Sequence, residues 1–535
     1  MKKFAISCLV LLAAAGLGVA QRMELTPSQK LRAAEGIIEN FYVEDVDGQE
    51  LTAEAIRAML KTLDPHSSYT TPSETEEFTT PLEGKFSGIG ITFNMLEDTV
   101  YVIQTVSGGP SQKAGIVPGD RILAANDTVI AGKKMKNTDV MKHLRGPEGS
   151  EVKLKVKRGD ELIDFDIVRA QIPIYSVDET FMADPTTGYI AVSRFGESTA
   201  QEVRDAIRAL RKKGMKNVII DLSGNGGGYL GAAFDMAGEF LPKNTPVVST
   251  SGRAVPSQTF VTETQGDFLE GRIVVIANQY TASAAEILSG ALQDNDRGLV
   301  VGRRTFGKGL VQRPFPFPDG SMIRLTTSRY YTPSGRCIQK PYEKGKTEEY
   351  QLDMLNRMSS GELWHEDSIP RPDSLRYETL RRHRPVYGGG GITPDVFVPV
   401  DTSYYSPYYR DLMAKAIFNR TVVGYVDAHR AELLKEFPTE EDFYRGFKLP
   451  DSVTQNLFER ATAAGIEFKA ADWERSAPIA RAVMTGLICR DLYEKGSYYR
   501  FVAPLNPDYT AALELINDEP RYRRLLEGEL HEKVD

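Results

Sequence analysis

The sequence predicts a multidomain α/β protein, with an α/β core, a β-rich domain inserted ahead of it, and helical regions at both ends. Three observations carry this. Between residues 187 and 302 strand-like and helical runs alternate as "GYIAVSRF", "STAQEVRDAIRALRKKG", "NVIIDL", "YLGAAFDMAGEFL", "RIVVIANQ", "SAAEILSGALQD" and "GLVVG", and repeated β-then-α units imply a largely parallel sheet. Between residues 85 and 172 the pattern changes to short β-rich runs separated by Gly, Pro, Asn and Asp. Before and after these regions, apolar residues recur at three- and four-residue steps, as on a helix face.

Taken in chain order, Met1-Lys2-Lys3, the apolar run "FAISCLVLLAAAGLGVA" and the small residues before Gln21 have the parts of a secretory signal peptide. Cleavage is expected after about Ala20, with export to the periplasm or cell envelope of a bacterium. No later stretch approaches the ~20 apolar residues of a membrane span. Loss of residues 1–20 leaves 515 residues and moves the formal net charge from −8 to −10, because Lys2 and Lys3 leave. Only Cys337 and Cys489 remain, which offers neither a disulfide scaffold nor a cysteine-rich zinc site. The acidic balance, with no long basic run, argues against a nucleic-acid partner. No metal and no cofactor are expected, and the sequence leaves open whether the chain forms a homo-oligomer.

Residues 21–84 read as a helical region through "SQKLRAAEGIIENFYV" and "TAEAIRAMLKTL", with "LDPHSSYTTPSE" as loop. In residues 85–172, "PSQKAGIVPGDRILAANDTVI" resembles the run of PDZ domains that leads from a small helical turn into a strand. "FSGIGI", with Gly88, Ile89, Gly90 and Ile91, fits the loop that in such domains offers backbone N–H groups to a peptide's terminal carboxylate. Recognition there proceeds by strand addition at an open sheet edge. The core is expected over 173–400, with a charged insertion at 343–387, and a predominantly helical region over 401–535 whose role the sequence does not state.

"GLVVGRRTFGKGLVQ" places Gly302, Gly307 and Lys308 at the spacing of a phosphate-binding loop. Such a loop wants Ser or Thr after the lysine and then a helix. This chain has Gly309, followed by Pro314, Pro316 and Pro318, which forbid a helix. A nucleotide is not expected. Gly226, Gly228 and Gly231 satisfy G-x-G-x-x-G after "NVIIDL". Gly226-Gly227-Gly228 equally suits a turn whose N–H groups face a developing negative charge. Ser283 stands at a strand-to-helix junction, where a lone serine is most often an N-cap. What lifts it above that role is the order of strand–Gly-rich turn, strand–Ser–helix and strand–Gly–Lys in one core. A serine nucleophile needs a base. None of the six histidines, at 66, 143, 365, 383, 429 and 531, stands in a strand-end motif of the core. Lys308 serves if burial keeps it neutral, and Gln312, four residues on, falls on the same side in either a strand or a helix, where its amide can orient the amine.

These residues carry a resemblance. "TASAAEILSGALQDNDRGLVVGRRTFGKGLVQ" closely resembles the active-site run of the C-terminal processing peptidases, or tail-specific proteases. "LDPHSSY", "VIIDLSGNGGGYL", "TTSRYYTPSGRCIQ" and "GGGITPDV" match further blocks of that family in order, over roughly residues 30–400. The resemblance implies a crotonase/ClpP-like serine-peptidase core with Ser283 as nucleophile, Lys308 as general base and Gln312 as its orienter. It implies an oxyanion hole from the N–H groups of Ala284 and a glycine near Gly227. Two departures stand out: Ala285 replaces the family's second serine, and Gly226 replaces a common proline, leaving the oxyanion glycine open by one residue. Asp294 matches a family position but reads as a structural acid at a helix end. The function so implied is an exported serine endopeptidase acting on protein or peptide substrates recognised by their C-terminal tails. The alternative is an inactive PDZ-containing peptide-binding scaffold.

Overall fold

The α/β alternation builds a six-stranded sheet. In the computed structural model, which describes residues 25–493 and 497–529, the strands lie in the order Val177–Met182, Thr187–Val192, Asn217–Asp221, Ile273–Ala277, Leu299–Gly302 and Val396–Phe397. The first pair is antiparallel and the others are parallel. Spatial order follows chain order, so right-handed crossovers bring the connecting helices Thr199–Lys212, Leu230–Ala237 and Ala284–Asp294 to one face. The pleat sorts the side chains: Ile190, Val192, Val218, Ile220, Val275 and Val300 pack with these helices, whereas Tyr189, Ala191, Ile219, Val274, Ile276 and Val301 point the other way. Helices Pro507–Asn517 and Glu519–Leu526 from the C-terminal region cover this second face, through Tyr509, Ala512, Leu515, Ile516 and Tyr522. The buried pair of Arg303 with Asp508, at 2.7 and 2.9 Å, fixes them to the sheet.

Segments outside that rhythm form a second, antiparallel sheet. Its central strand Met322–Tyr331 pairs with Leu310–Pro316, with Ser68–Thr70 and with Pro246–Ser251, which in turn pairs with Gln258–Val261. The sequence reading has "LDPHSSYTTPSE" as loop. Instead, Ser68–Thr70 is a strand and Thr71 caps a helix over Pro72–Glu83. A three-residue strand is too short to show periodicity and exists here because Met322–Thr70 pairing recruits it. Since residues 68–70 already belong to this sheet, the β-rich domain that follows is an insertion.

That domain has strand order Ile91–Leu96, Thr99–Thr105, Arg121–Ala125, Glu151–Arg158, Glu161–Val168 around a core that includes Val102, Ile122, Val140, Val152 and Leu154. Ile91–Leu96 lies at the sheet edge. Lys85–Gly88 pairs with Ala170–Pro173 and closes the neck of the insertion. The C-terminal helices between Pro407 and Leu492 have their own core, with Phe418, Val422, Phe443, Leu457, Met484 and Ile488. Cys337 and Cys489 are unpaired. Among the described residues no helix is long and apolar enough to cross a membrane. The signal-peptide expectation concerns residues 1–20, which lie outside the described residues.

Candidate active site

Three strand ends of the core converge on one cavity of about 340 Å³, lined by Gly226, Gly227, Gly228, Ser283, Ala284, Lys308 and Gln312. Phe78, Leu82, Leu230, Ile287, Leu310 and Met322 supply an apolar wall. Carboxyl ends of parallel strands are where α/β folds collect ligands.

Ser283 occupies a sharp turn between the strand Ile273–Ala277 and the wholly buried helix Ala284–Asp294. Its backbone takes φ +59 and ψ −118, a left-handed setting that costs a non-glycine residue about 1–3 kcal/mol. Ser283 is therefore no ordinary N-cap, whose backbone would be extended. Among the described residues its hydroxyl donates no hydrogen bond, although it stands in capping-box register with the Glu286 N–H, and the Ala284 N–H, first in the helix, has no partner.

Two groups that the sequence reading missed hold this turn against the lysine loop. The buried Glu286 carboxylate accepts from the N–H groups of Ser283 at 2.8 Å, Lys308 at 2.9 Å and Gly307 at 2.8 Å, and from Thr305 Oγ1 at 2.5 Å. Burial pushes this carboxyl above the ordinary glutamate value, and the four donors oppose the shift. Tyr330 Oη donates to the carbonyls of Ser283, at 3.1 Å, and Lys308. An acid at the third position of a helix after a serine was the available signal for Glu286. Nothing local signals Tyr330, which reaches the site from a different sheet.

Burial lowers the Lys308 amine from its ordinary value of 10.5, and the Arg324 guanidinium lowers it further, while Glu286 and Asp64 oppose. Among the described residues Lys308 Nζ pairs with no carboxylate or hydroxyl, so desolvation is not offset by a salt bridge. Gln312 shares the cavity, but its Nε2 donates to Thr326 Oγ1 and the Leu310 carbonyl, both at 3.2 Å, and not to Lys308. The expectation that positions 308 and 312 share a face assumed regular alternation; a bulge between Val311 and Gln312 breaks it. Thr326 in turn donates to Asp64 at 2.9 Å.

The glycine turn corrects a second detail. The Gly227 N–H, expected as an oxyanion donor, is occupied by Asn225 Oδ1 at 2.8 Å. The Gly227 carbonyl accepts from Phe195 N, so in the trans peptide unit the Gly228 N–H points away from Phe195. Gly227 itself must lack a side chain: at φ +98, a Cβ would stand 2.7 Å from Ser283 Cβ. Asp294 is buried in a pair with Arg336 at 2.7 Å and accepts from Ser334 N.

Comparison with known proteins assigns the two central regions. Residues 186–348 match the model of peptidase family S41, and residues 87–168 match a PDZ domain. The chain carries a peptidase family S41 domain. Residues 15–74 ahead of it match the N-terminal domain of the activating protease CtpB, and residues 408–494 match a family of unknown function. The chain is similar to the carboxy-terminal processing protease CtpB of Bacillus subtilis, 37% identical over 317 residues, 58% of this chain and 65% of that one. A probable CtpA-like serine protease of Staphylococcus aureus is 35% identical over 324 residues, 59% of this chain and 64% of that one. The chain thus spans just under two thirds of the length of these relatives. A solved photosystem II D1 C-terminal processing protease is 27% identical over 59% of this chain and 91% of its own, with a TM-score of 0.34.

Proposed function

We propose that the chain is a serine endopeptidase in which Ser283 attacks the scissile carbonyl and Lys308, neutral through burial, accepts its proton. One observation carries this reading: a strained serine whose hydroxyl donates to no described neighbour opens onto the same apolar cavity as a desolvated lysine. Nucleophile and base need not be hydrogen-bonded beforehand, because such contacts commonly tighten only with substrate in place. The N–H groups of Ala284 and Gly228 stabilise the developing oxyanion, helped by the helix N-terminus. Gln312 acts through Thr326 to steady the wall beside Lys308 and does not hold the amine itself. Substrates are proteins or peptides whose C-terminal tails add to the open edge of Ile91–Leu96, with the carboxylate at Gly88–Ile91. Work outside the cytoplasm follows from the segment preceding Gln21.

The test is cleavage of unfolded proteins that differ only in their last residues, by the native protein and by Ser283→Ala. The variant should keep its circular dichroism spectrum and lose turnover by at least about a thousandfold. Residual turnover near the native rate would end the assignment.

A further inference from the structure

The cavity beside Ser283 holds a strong cation that the chemistry above leaves without a direct task. Arg324 lies on the central strand Met322–Tyr331, opposite Ser68 on one side and Pro314 on the other, and lines the cavity together with Ser283 and Lys308. Its guanidinium stands 3.8 Å over the Phe78 ring. Nε and Nη2 both donate to one oxygen, Ser68 Oγ, at 3.2 and 2.9 Å. Burial acts on this group with no acid opposing it.

The acids closest to the site are committed elsewhere. Asp64 accepts from the N–H groups of His66 and Ser67 and from the hydroxyls of Ser67 and Thr326. Glu286 holds the serine turn and the lysine loop together. A guanidinium presents five N–H donors in a planar fork that matches a carboxylate at two points. One hydroxyl holds its Nε–Nη2 edge and one ring its face, and among the described residues no carboxylate pairs with it, beside a lysine that must itself stay neutral. A permanent cation kept in a partly desolvated cleft under those conditions has a use for an incoming anion.

We propose that Arg324 is a carboxylate-binding element of the substrate cleft, receiving an acidic side chain or the free α-carboxylate of the peptide bound against Ser283. The inference rests on the reading of this cavity as a substrate cleft. It adds a second carboxylate site, separate from the PDZ loop at Gly88–Ile91, and makes Arg324 a determinant of which peptides are cleaved. Phe78, on the helix that leads into the PDZ domain, stacks on the guanidinium and so orients its fork.

Binding is measured in the full chain carrying Ser283→Ala, so that no turnover is needed and a failure of the peptidase reading does not mask the result. Two peptide series are compared by calorimetry: one exchanges each internal Glu for Gln, the other exchanges the free C-terminus for an amide. The carboxylate form in one series should bind at least about tenfold more tightly than its neutral counterpart. That preference should fall to near unity in Arg324→Gln and Arg324→Met, and survive in part in Arg324→Lys. The series whose preference is lost in the neutral variants identifies the source of the carboxylate at Arg324. A preference that persists unchanged in both neutral variants belongs to the PDZ loop and overturns the proposal, as does the absence of preference in both series. Circular dichroism of each variant excludes loss of fold as the cause.

Discussion

At Ser283 the backbone setting of φ +59 is the price of presenting a hydroxyl at the apex of a turn, and the surrounding bonds from Glu286 and Tyr330 hold it there. Lys308 carries the sharper prediction, because only the base reading requires a neutral amine. Burial first and Arg324 second depress its pKa, so activity should rise with pH along one deprotonation whose midpoint lies below 10.5. Lys308→Arg keeps the charge and cannot lose it. It should be inactive at every pH where circular dichroism reports a folded protein, and a rate–pH profile with an active arginine variant would sink the Ser–Lys mechanism. Ser283 and Lys308 stand out in the sequence because each follows a core strand, Ser283 at the start of a helix and Lys308 between Gly307 and Gly309. The partner of Gln312 was not: a single bulged residue, invisible in a pattern of strand-forming side chains, turns its amide to Thr326.

At the scale of elements, the helix Ala284–Asp294 and the loop Arg303–Gly309 are joined through one side chain. Every group that Glu286 contacts is a donor, and a carboxylate is acceptor-only. Glu286→Gln would turn an NH2 toward two N–H or O–H donors wherever its amide points. The expected cost is about 2–4 kcal/mol in denaturant unfolding, with turnover reduced beyond that of the folded fraction because the serine turn loses its tie to Lys308. Stability within about 0.5 kcal/mol of native together with native turnover would show that Tyr330 suffices as the clamp. The helix itself was legible from "SAAEILSGALQD", since its residues follow a helix period and end at Asn295. The second sheet was not. Its strand Leu310–Pro316 contains two prolines and Ser68–Thr70 has three residues, so both exist only by pairing with Met322–Tyr331.

For the whole molecule, the C-terminal region gains a structural role that its helical periodicity could not announce, because an apolar stripe does not name what it packs against. One part of it covers the sheet of the S41 domain through Tyr509 and Ile516. Another part grips the PDZ domain: Val423, only 3% exposed, packs on Tyr101 and Ile103. On the same helix Asp427 accepts from Tyr101 Oη at 3.2 Å and faces Arg121 at 3.5 Å. Gln104 Nε2 donates to the carbonyl of Asp491, at 3.1 Å, on the helix Ala470–Leu492. The PDZ domain is therefore held at its neck and at its sheet, and the contacts differ in worth. The Asp427 pair is partly exposed and contributes at most about 1 kcal/mol. Val423→Asp would bury an unpaired carboxylate between Tyr101 and Ile103, a change of roughly 3 kcal/mol against the docked arrangement. We expect Val423→Asp to raise protease cutting at residues 173–176 and to lower the ratio of cleavage between tailed and tail-less substrates, whereas Asp427→Ala leaves both close to native. The unfolding transition of the S41 domain should stay in place, since its own cover of Tyr509 and Tyr522 is untouched. Equal protection of the neck in Val423→Asp and native protein would mean that the neck alone positions the PDZ domain, and that the C-terminal helices merely rest on it.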